Sequence, residues 1–289
     1  MERGRGASLL RDSTPRPPAR GARPGSSLRP RLAVALVGLP AVALLLALPA
    51  PPFVVTLALL AAVGAGELLR AAGSGPGAIV SAGAFSAALV AGLPYVDQGA
   101  SAAAVAAGAL TLIAVLRTAH GRRASLLWWG VGVLYVGVGF AHASLIRMEP
   151  EGQRWLLVLL AAVFATDTGA YAVGRPLGRR LIAPRLSAGK TWEGAVGGLV
   201  AGAAATLAAV WALDLSIAGE RAVRPELVLL ALGLPVSAHG GDLLASAIKR
   251  RLGRKDFSRL LPGHGGLLDR VDSLLLAGPV LYWTLAWAM

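Results

Sequence analysis

An all-α, polytopic integral membrane protein is the fold class this sequence predicts, and three observations predict it. Hydrophobic residues make up 55% of the 289 positions and charged residues only 15%, against about 25% charged in a soluble domain. The mean hydropathy is +0.64. The apolar residues also gather into runs near the ~20 residues that a spanning helix requires, and the charge lies between them. Disorder along the whole chain needs low hydrophobicity and is excluded. There is no cysteine, so disulfides, thiolate metal sites and cysteine nucleophiles are excluded as well.

The formal net charge is +13. In a soluble chain that would point to nucleic acid. Here the basic residues lie between apolar runs, so the membrane accounts for them and no nucleic acid is expected. Of the 28 basic residues, all but Lys190, Lys249 and Lys255 are arginine.

The elements follow in chain order. Residues 1–31 hold eight arginines among Pro, Gly and Ser. With no apolar period they read as a disordered basic cytoplasmic tail. A cleaved signal peptide is the competing reading. It is disfavoured by the long basic stretch and by Leu48-Pro49-Ala50-Pro51-Pro52, a poor cleavage site. About nine spanning helices follow, at 32–48, 53–69, 77–94, 99–116, 125–146, 155–174, 194–213, 226–248 and 271–289. We divide the chain into the tail, N-terminal helices over 32–150 and a C-terminal catalytic region over 151–289. Gly197, Gly198 and Gly202 read as helix-packing positions, since small residues let backbones approach in lipid.

Charge asymmetry orients this layout. With the N-terminus inside, the inner segments hold 24 basic residues and the outer loops four: Arg147, Arg154, Arg221 and Arg224. The positive-inside rule expects such a split, and one span more or fewer in the middle would spoil it. Two inner loops, 175–193 and 249–270, stand out by their length and their cluster of Gly, Lys and acidic residues. Function is therefore expected at the cytoplasmic face.

Ionisable residues inside apolar spans are costly and are functional candidates. Glu67, Asp167, Asp242, and Asp269 with Asp272 are the clear cases. His142 and His239 are weaker, because a lone histidine at a helix end commonly serves a structural hydrogen bond. The densest run is Ser246 to Asp272, SAIKRRLGRKDFSRLLPGHGGLLDRVD. Asp242 and Ser246 are four apart and share a helix face. Lys249 and Arg250 follow, Lys255-Asp256 lies in the loop, and Pro262-Gly263-His264-Gly265-Gly266 turns into a helix. Such a turn offers free N–H groups to phosphate oxygens. Asp269 and Asp272, three apart, would share a face of that helix. Carboxylates converging with Asp242 would suit Mg²⁺, which takes one or two of them plus substrate phosphates. Snorkelling cations, glycine turns and capping aspartates explain each feature singly, but not all of them within 27 residues.

The second run is Asp167-Thr168-Gly169-Ala170-Tyr171, then Ser187-Ala188-Gly189-Lys190-Thr191-Trp192-Glu193-Gly194. Lys190 stands just before a span, where a phosphate could meet both the ammonium and a helix N-terminus. A Walker A loop is rejected, because its first glycine would fall on Pro184 and no strand precedes it. All three lysines lie in these two runs. In a chain so biased to arginine, that suggests a need for a compact point charge.

Ser246-x-Ile248-Lys249-Arg250, Lys255-Asp256 and Pro262-x-His264-Gly265-Gly266-Leu267-x-Asp269-Arg270-Val271-Asp272 together resemble the signature of the phosphatidate cytidylyltransferase (CDP-diacylglycerol synthase) family. Asp167-x-x-Ala170-Tyr171, Lys190-Thr191-Trp192-Glu193-Gly194 and Gly241-Asp242 also look like family motifs. The likeness covers roughly residues 160–285. One departure is Ala188, where bacterial relatives usually carry proline; it bears on loop stiffness, and Lys190 remains.

The resemblance implies transfer of the cytidylyl group of CTP to phosphatidate, giving CDP-diacylglycerol and pyrophosphate with Mg²⁺ as cofactor. On it, Lys190, Asp242, Lys249, Arg250, His264 and Asp269 are the expected catalytic residues. His264 would donate to the leaving pyrophosphate or fix the turn. Asp167, Tyr171, Ser187, Thr191, Ser246, Lys255, Asp256, Gly265, Gly266 and Arg270 are expected to bind substrate, and Asp242, Asp269 and Asp272 to hold metal. The expected setting is the cell membrane, multi-pass, with the N-terminus cytoplasmic. The expected partners are CTP, phosphatidate and the bilayer, and a homodimer is allowed for. A transporter of a small anionic solute is the alternative. Against it, the polar clusters lie at one face and no inverted repeat is evident. A non-catalytic lipid-binding scaffold would not need several carboxylates, and the D-x-x-D-G pattern of CDP-alcohol phosphotransferases is missing. Nothing in these residues reads a cytosine ring by itself.

The layout makes one prediction of its own. A reporter fused after Met289 should read as external and one at the N-terminus as cytoplasmic; a cytoplasmic C-terminal reporter would refute the count of spans.

Overall fold

The computed structural model describes residues 40–98, 123–216, 225–261 and 265–288, together with Gly38. Among these residues there is no strand, only the isolated bridges Leu181↔Thr191 and Leu261↔Gly265. A short helical segment over 40–47 leads in. Seven long helices follow: α1 (Ala50–Ala71), α2 (Pro76–Gly92), α3, α4 (Gly152–Leu177), α5 (Trp192–Ala212), α6 (Pro225–Arg251) and α7 (Leu268–Ala288). Helix α3 is continuous but not uniform, with α-helical Arg123–Val131, π-helical Gly132–Gly137 and α-helical Val138–Met148.

All seven are long and apolar enough to cross a membrane. The expected count of nine is therefore not reached among the described residues. Span 99–116 lies outside them, and span 32–48 is described only at Gly38 and from residue 40 on. The basic tail 1–31 also lies outside. The remaining seven expected spans each fall on one helix, because a run of apolar residues has one way to satisfy its backbone in lipid. Trp211 is 85% exposed and Trp287 78%. In water such apolar surface would be anomalous; on a spanning helix it faces lipid.

Local sequence accounts for the helix ends. Pro51 and Pro52 open α1 and Pro76 opens α2, where a missing N–H costs nothing. Thr191 caps α5, its Oγ accepting the Gly194 N–H at 3.1 Å. The loop before α1 is held by Arg147, whose Nη2 donates to Leu48 O at 3.0 Å while its guanidinium lies 5.8 Å from the Phe53 ring centre.

Two sets of helices build the bundle. α1, α2 and α3 pack on one another, α4 packs most extensively on α5, and α6 pairs with both α5 and α7. α7 joins the sets by lying against α3 and, at fewer points, α1 and α4. The α4–α5 seam is lined by small residues, as the glycine pattern suggested: a side chain at Gly169 would stand 2.8 Å from Gly197 O, and one at Gly197 would stand 3.0 Å from Gly169 O. At the α6–α7 crossing, a Cβ on Gly241 would fall 2.6 Å from Asp272 O and 3.0 Å from Ser273 Cα. Both neighbours are backbone and cannot swing aside. Overpacking of this kind typically costs about 1–3 kcal/mol, so Gly241→Ala should lower the thermal midpoint of the purified protein, and an unchanged midpoint would show that α6 and α7 pack less closely here.

Candidate functional site

The loop 178–191 and the described residues 252–261 and 265–267 lie at one end of the bundle. The first is pinned by Ile182 N–H to Lys190 O (2.9 Å) and Trp192 N–H to Arg180 O (2.9 Å). Glu193 draws it further in, its Oε2 accepting the N–H groups of Arg179 (3.1 Å) and Arg180 (3.3 Å). These bonds place Lys190 directly before α5. Arg250 links the two loops, its Nε donating to Leu186 O at 3.1 Å.

Two lysine–aspartate pairs form the centre. Lys190 Nζ lies 2.6 Å from Asp242 Oδ2, with the two side chains 20% and 37% exposed. Lys249 Nζ lies 2.9 Å from Asp269 Oδ1 and 4.0 Å from Asp272 Oδ2. This second pair is the more enclosed, with Lys249 at 12% and Asp269 at 2% side-chain exposure. Asp269 is fully engaged, since its Oδ2 accepts Phe257 N–H (3.0 Å) and Gly266 N–H (2.9 Å). Buried Phe257 also lies under Lys249, the ammonium 5.3 Å from the ring centre. Asp272 Oδ1 accepts the Ser273 N–H at 2.9 Å.

The two pairs are neighbours. Asp272 lies within electrostatic reach of Asp242, Lys249 and Asp269, and Asp167 within reach of Asp242, Lys190 and Arg270. The residues expected from separate sequence runs are thus brought together: Asp167 from α4, Lys190 before α5, Asp242 and Lys249 from α6, and Asp269 and Asp272 from α7. Ser246 sits half-buried between Asp242 and Lys249 on α6. Gly265, at φ +85°, makes the turn that lets Gly266 reach Asp269.

Other expected residues stand further out. Tyr171 is exposed, and its phenol oxygen accepts from Arg175 Nη1 at 2.8 Å. Thr191 is committed as the α5 cap, Ser187 lies half-buried in the pinned loop, and Arg270 is exposed. Lys255 and Asp256 are both exposed, and no ion pair joins them among the described residues. His264 lies outside the described residues.

Two residues close to this centre were not among the expected site residues. Glu67 of α1, a functional candidate as an acid inside a span but given no role, accepts hydrogen bonds from Ser258, Leu267 and Leu268. Tyr135, in the π-helical part of α3, donates from its buried hydroxyl to Asp272 O at 3.4 Å. An aromatic residue in an apolar run reads as packing, so nothing in the sequence marked Tyr135.

Among the described residues, no three Asp, Glu or His side chains stand close enough to hold a metal ion by themselves. The donor chemistry nevertheless fits magnesium: hard carboxylate oxygens, few in number, with room for phosphate oxygens to complete the shell.

A profile of the cytidylyltransferase family matches residues 29–288, and the chain belongs to that family. Its curated relatives include the phosphatidate cytidylyltransferase of Brucella melitensis biotype 1, 44% identical over 156 residues, which is 54% of this chain and 56% of the relative. The proteins of that name from Staphylococcus saprophyticus and Bacillus subtilis are 39% and 38% identical, over 52% and 54% of this chain and 55% and 56% of theirs. The chain thus spans little more than half the length of these relatives in each alignment.

The unequal enclosure of the two pairs yields a prediction. Removing one partner of a buried pair strands the other charge, at about 3–5 kcal/mol, whereas Asp242, 37% exposed, would be left partly solvated. Lys249→Met should therefore lower the unfolding midpoint in detergent far more than Lys190→Met. Equal shifts would mean that the two pairs are equally wet.

Proposed function

We propose that this protein is a phosphatidate cytidylyltransferase, transferring the cytidylyl group of CTP to phosphatidate and releasing pyrophosphate. The observation that carries the proposal is the gathering of two lysines and four aspartates, from three helices and the loop before α5, at one end of the bundle. Membership of the cytidylyltransferase family and the names of the relatives support it.

The reaction suits such a site. An oxygen of the phosphatidate phosphate attacks the α-phosphorus of CTP. A new P–O bond forms, and the bond to the β-phosphate oxygen breaks, leaving its electron pair on pyrophosphate. The nucleophile is already an anion, so no general base is needed. The obstacle is repulsion between two polyanions, which fixed cations relieve. Lys190 and Lys249 are the ammoniums placed to do so, and each now neutralises an aspartate. Phosphate oxygens compete for the same N–H donors, so substrate binding draws the lysines from carboxylate to phosphate. Arg250, with Arg270 at the rim, adds charge where the loops meet.

Asp242, Asp269 and Asp272 are the carboxylates that would hold magnesium, Asp269 through the Oδ1 it now shares with Lys249. When bound, the ion neutralises phosphate charge and aligns the displacement. Asp167, Ser246, Gly265 and Gly266, beside these groups, bind substrate in this reading, and Ser187, Thr191, Tyr171, Lys255 and Asp256 act from further out. A lipid substrate keeps its acyl chains in the bilayer, which gives a polytopic enzyme its reason. The setting we propose is the cell membrane, with this end of the bundle and the N-terminus cytoplasmic.

Membranes carrying the protein should convert labelled CTP and phosphatidate to CDP-diacylglycerol only when magnesium is present. Asp242→Asn and Asp269→Asn should each abolish this, a loss of at least 100-fold, while the protein still inserts. Lys190→Arg should also be poor, because a planar guanidinium cannot replace a compact ammonium. Near-normal turnover in both aspartate variants would remove the assignment.

A further inference from the structure

Glu67 is 2% exposed and belongs to α1, outside the part of the chain that carries the signature residues. Such a carboxylate needs compensation, and it finds it at the start of α7. Its Oε1 accepts from Ser258 Oγ at 2.6 Å and from Leu267 N–H at 3.1 Å, and its Oε2 accepts from Leu268 N–H at 2.9 Å. The first N–H groups of a helix have no partner within it. They are normally met by a capping side chain just before the helix; here the cap comes from another helix, about 200 residues earlier in the chain. Its negative charge also complements the positive end of the α7 dipole.

The division of donors gives this cap its meaning. Glu67 takes Leu267 and Leu268, and Asp269 takes Gly266 and Phe257. The same few residues therefore connect Glu67 to the carboxylate that meets Lys249. The fit is close: a side chain at Gly266 would stand 2.6 Å from Glu67 Oε2 and 2.7 Å from Ser258 Oγ. The turn can approach Glu67 only because residue 266 has no Cβ.

We propose that Glu67 is a positioning residue for the cytidylyl-transfer site: by capping α7 from α1, it fixes where Asp269 and Asp272 stand. The proposal rests on the function argued above, and the test separates the two. It uses the full chain in detergent, comparing wild type with Glu67→Gln, Ser258→Ala and the double variant. The glutamine keeps the size but turns an N–H toward backbone donors. Folded Glu67→Gln should show amide exchange at residues 266–268 at least tenfold faster, with exchange in α4 unchanged. Its kcat should fall tenfold or more, its KM for CTP should move less than threefold, and its half-saturating magnesium concentration should rise at least fivefold. A purely structural role would lower the amount of active enzyme without moving the magnesium requirement. Ser258→Ala should show the same changes at two- to fivefold, and the double variant should be no worse than Glu67→Gln, because Ser258 acts through Glu67. Wild-type exchange at 266–268 with an unmoved magnesium requirement in folded Glu67→Gln would overturn the proposal, as would additive losses. If Glu67→Gln does not accumulate, Ser258→Ala decides alone, and unchanged exchange and kcat in it would count against the cap. If the wild type forms no CDP-diacylglycerol, the proposed function fails and the exchange measurements still decide the capping.

Discussion

The Lys249–Asp269 pair is the constraint around which the rest of the described structure is arranged. An ionised carboxylate at 2% side-chain exposure is tenable only if it is paired and both its oxygens are hydrogen-bonded. Asp269 meets this by taking one ammonium and two backbone N–H groups. Each demand fixes a different segment. The ammonium fixes the end of α6, Phe257 N–H fixes the loop after it, and Gly266 N–H fixes the entry to α7. One side chain thus sets three pieces of backbone, and Phe257 closes the arrangement by lying under the same lysine.

Close helix packing makes that pair reachable. Lysine and aspartate can meet across α6 and α7 only if the backbones cross tightly, and Gly241 permits this where Asp272 and Ser273 pass. The same device recurs between α4 and α5 at Gly169 and Gly197. In lipid there is little hydrophobic gain in joining two apolar helices, so contact of small residues supplies the association. The glycines are remote from the chemistry in kind and necessary to it in geometry.

Much of this was legible in the sequence, and for identifiable reasons. Seven spans were readable because helix length in a bilayer is dictated by thickness. Lys190, Asp242, Lys249, Asp269 and Asp272 stood out because charge is rare in such runs, and the structure brings them together. What could not be read was the pairing. Helical spacing shows that Asp269 and Asp272 share a face, but not that Asp269 divides its oxygens between Lys249 and two backbone donors while Asp272 stands 4.0 Å from the same ammonium. Tyr135 was invisible because its phenol acts on a backbone carbonyl, a partner with no sequence signature. Glu67 was visible as an anomaly, but its partners lie some 200 residues away, a distance no periodicity spans.

Pairing each lysine with an aspartate also resolves a tension within the proposed chemistry. A site that must attract two polyanions cannot carry bare carboxylates, and one that must hold magnesium cannot do without them. Neutral pairs satisfy both demands. With lysine and aspartate joined, two of the four carboxylates are neutralised, and the surrounding arginines can draw phosphates toward the centre. In that chemistry a bound phosphate would offer the ammonium a second anion, and the carboxylate so freed would be a residue able to hold magnesium. The exchange conserves the number of ionic contacts, so it need not carry the cost of exposing a buried charge. It also favours lysine over arginine at positions 190 and 249, because a single ammonium on a flexible stem can change partners where a bidentate guanidinium is held by its geometry.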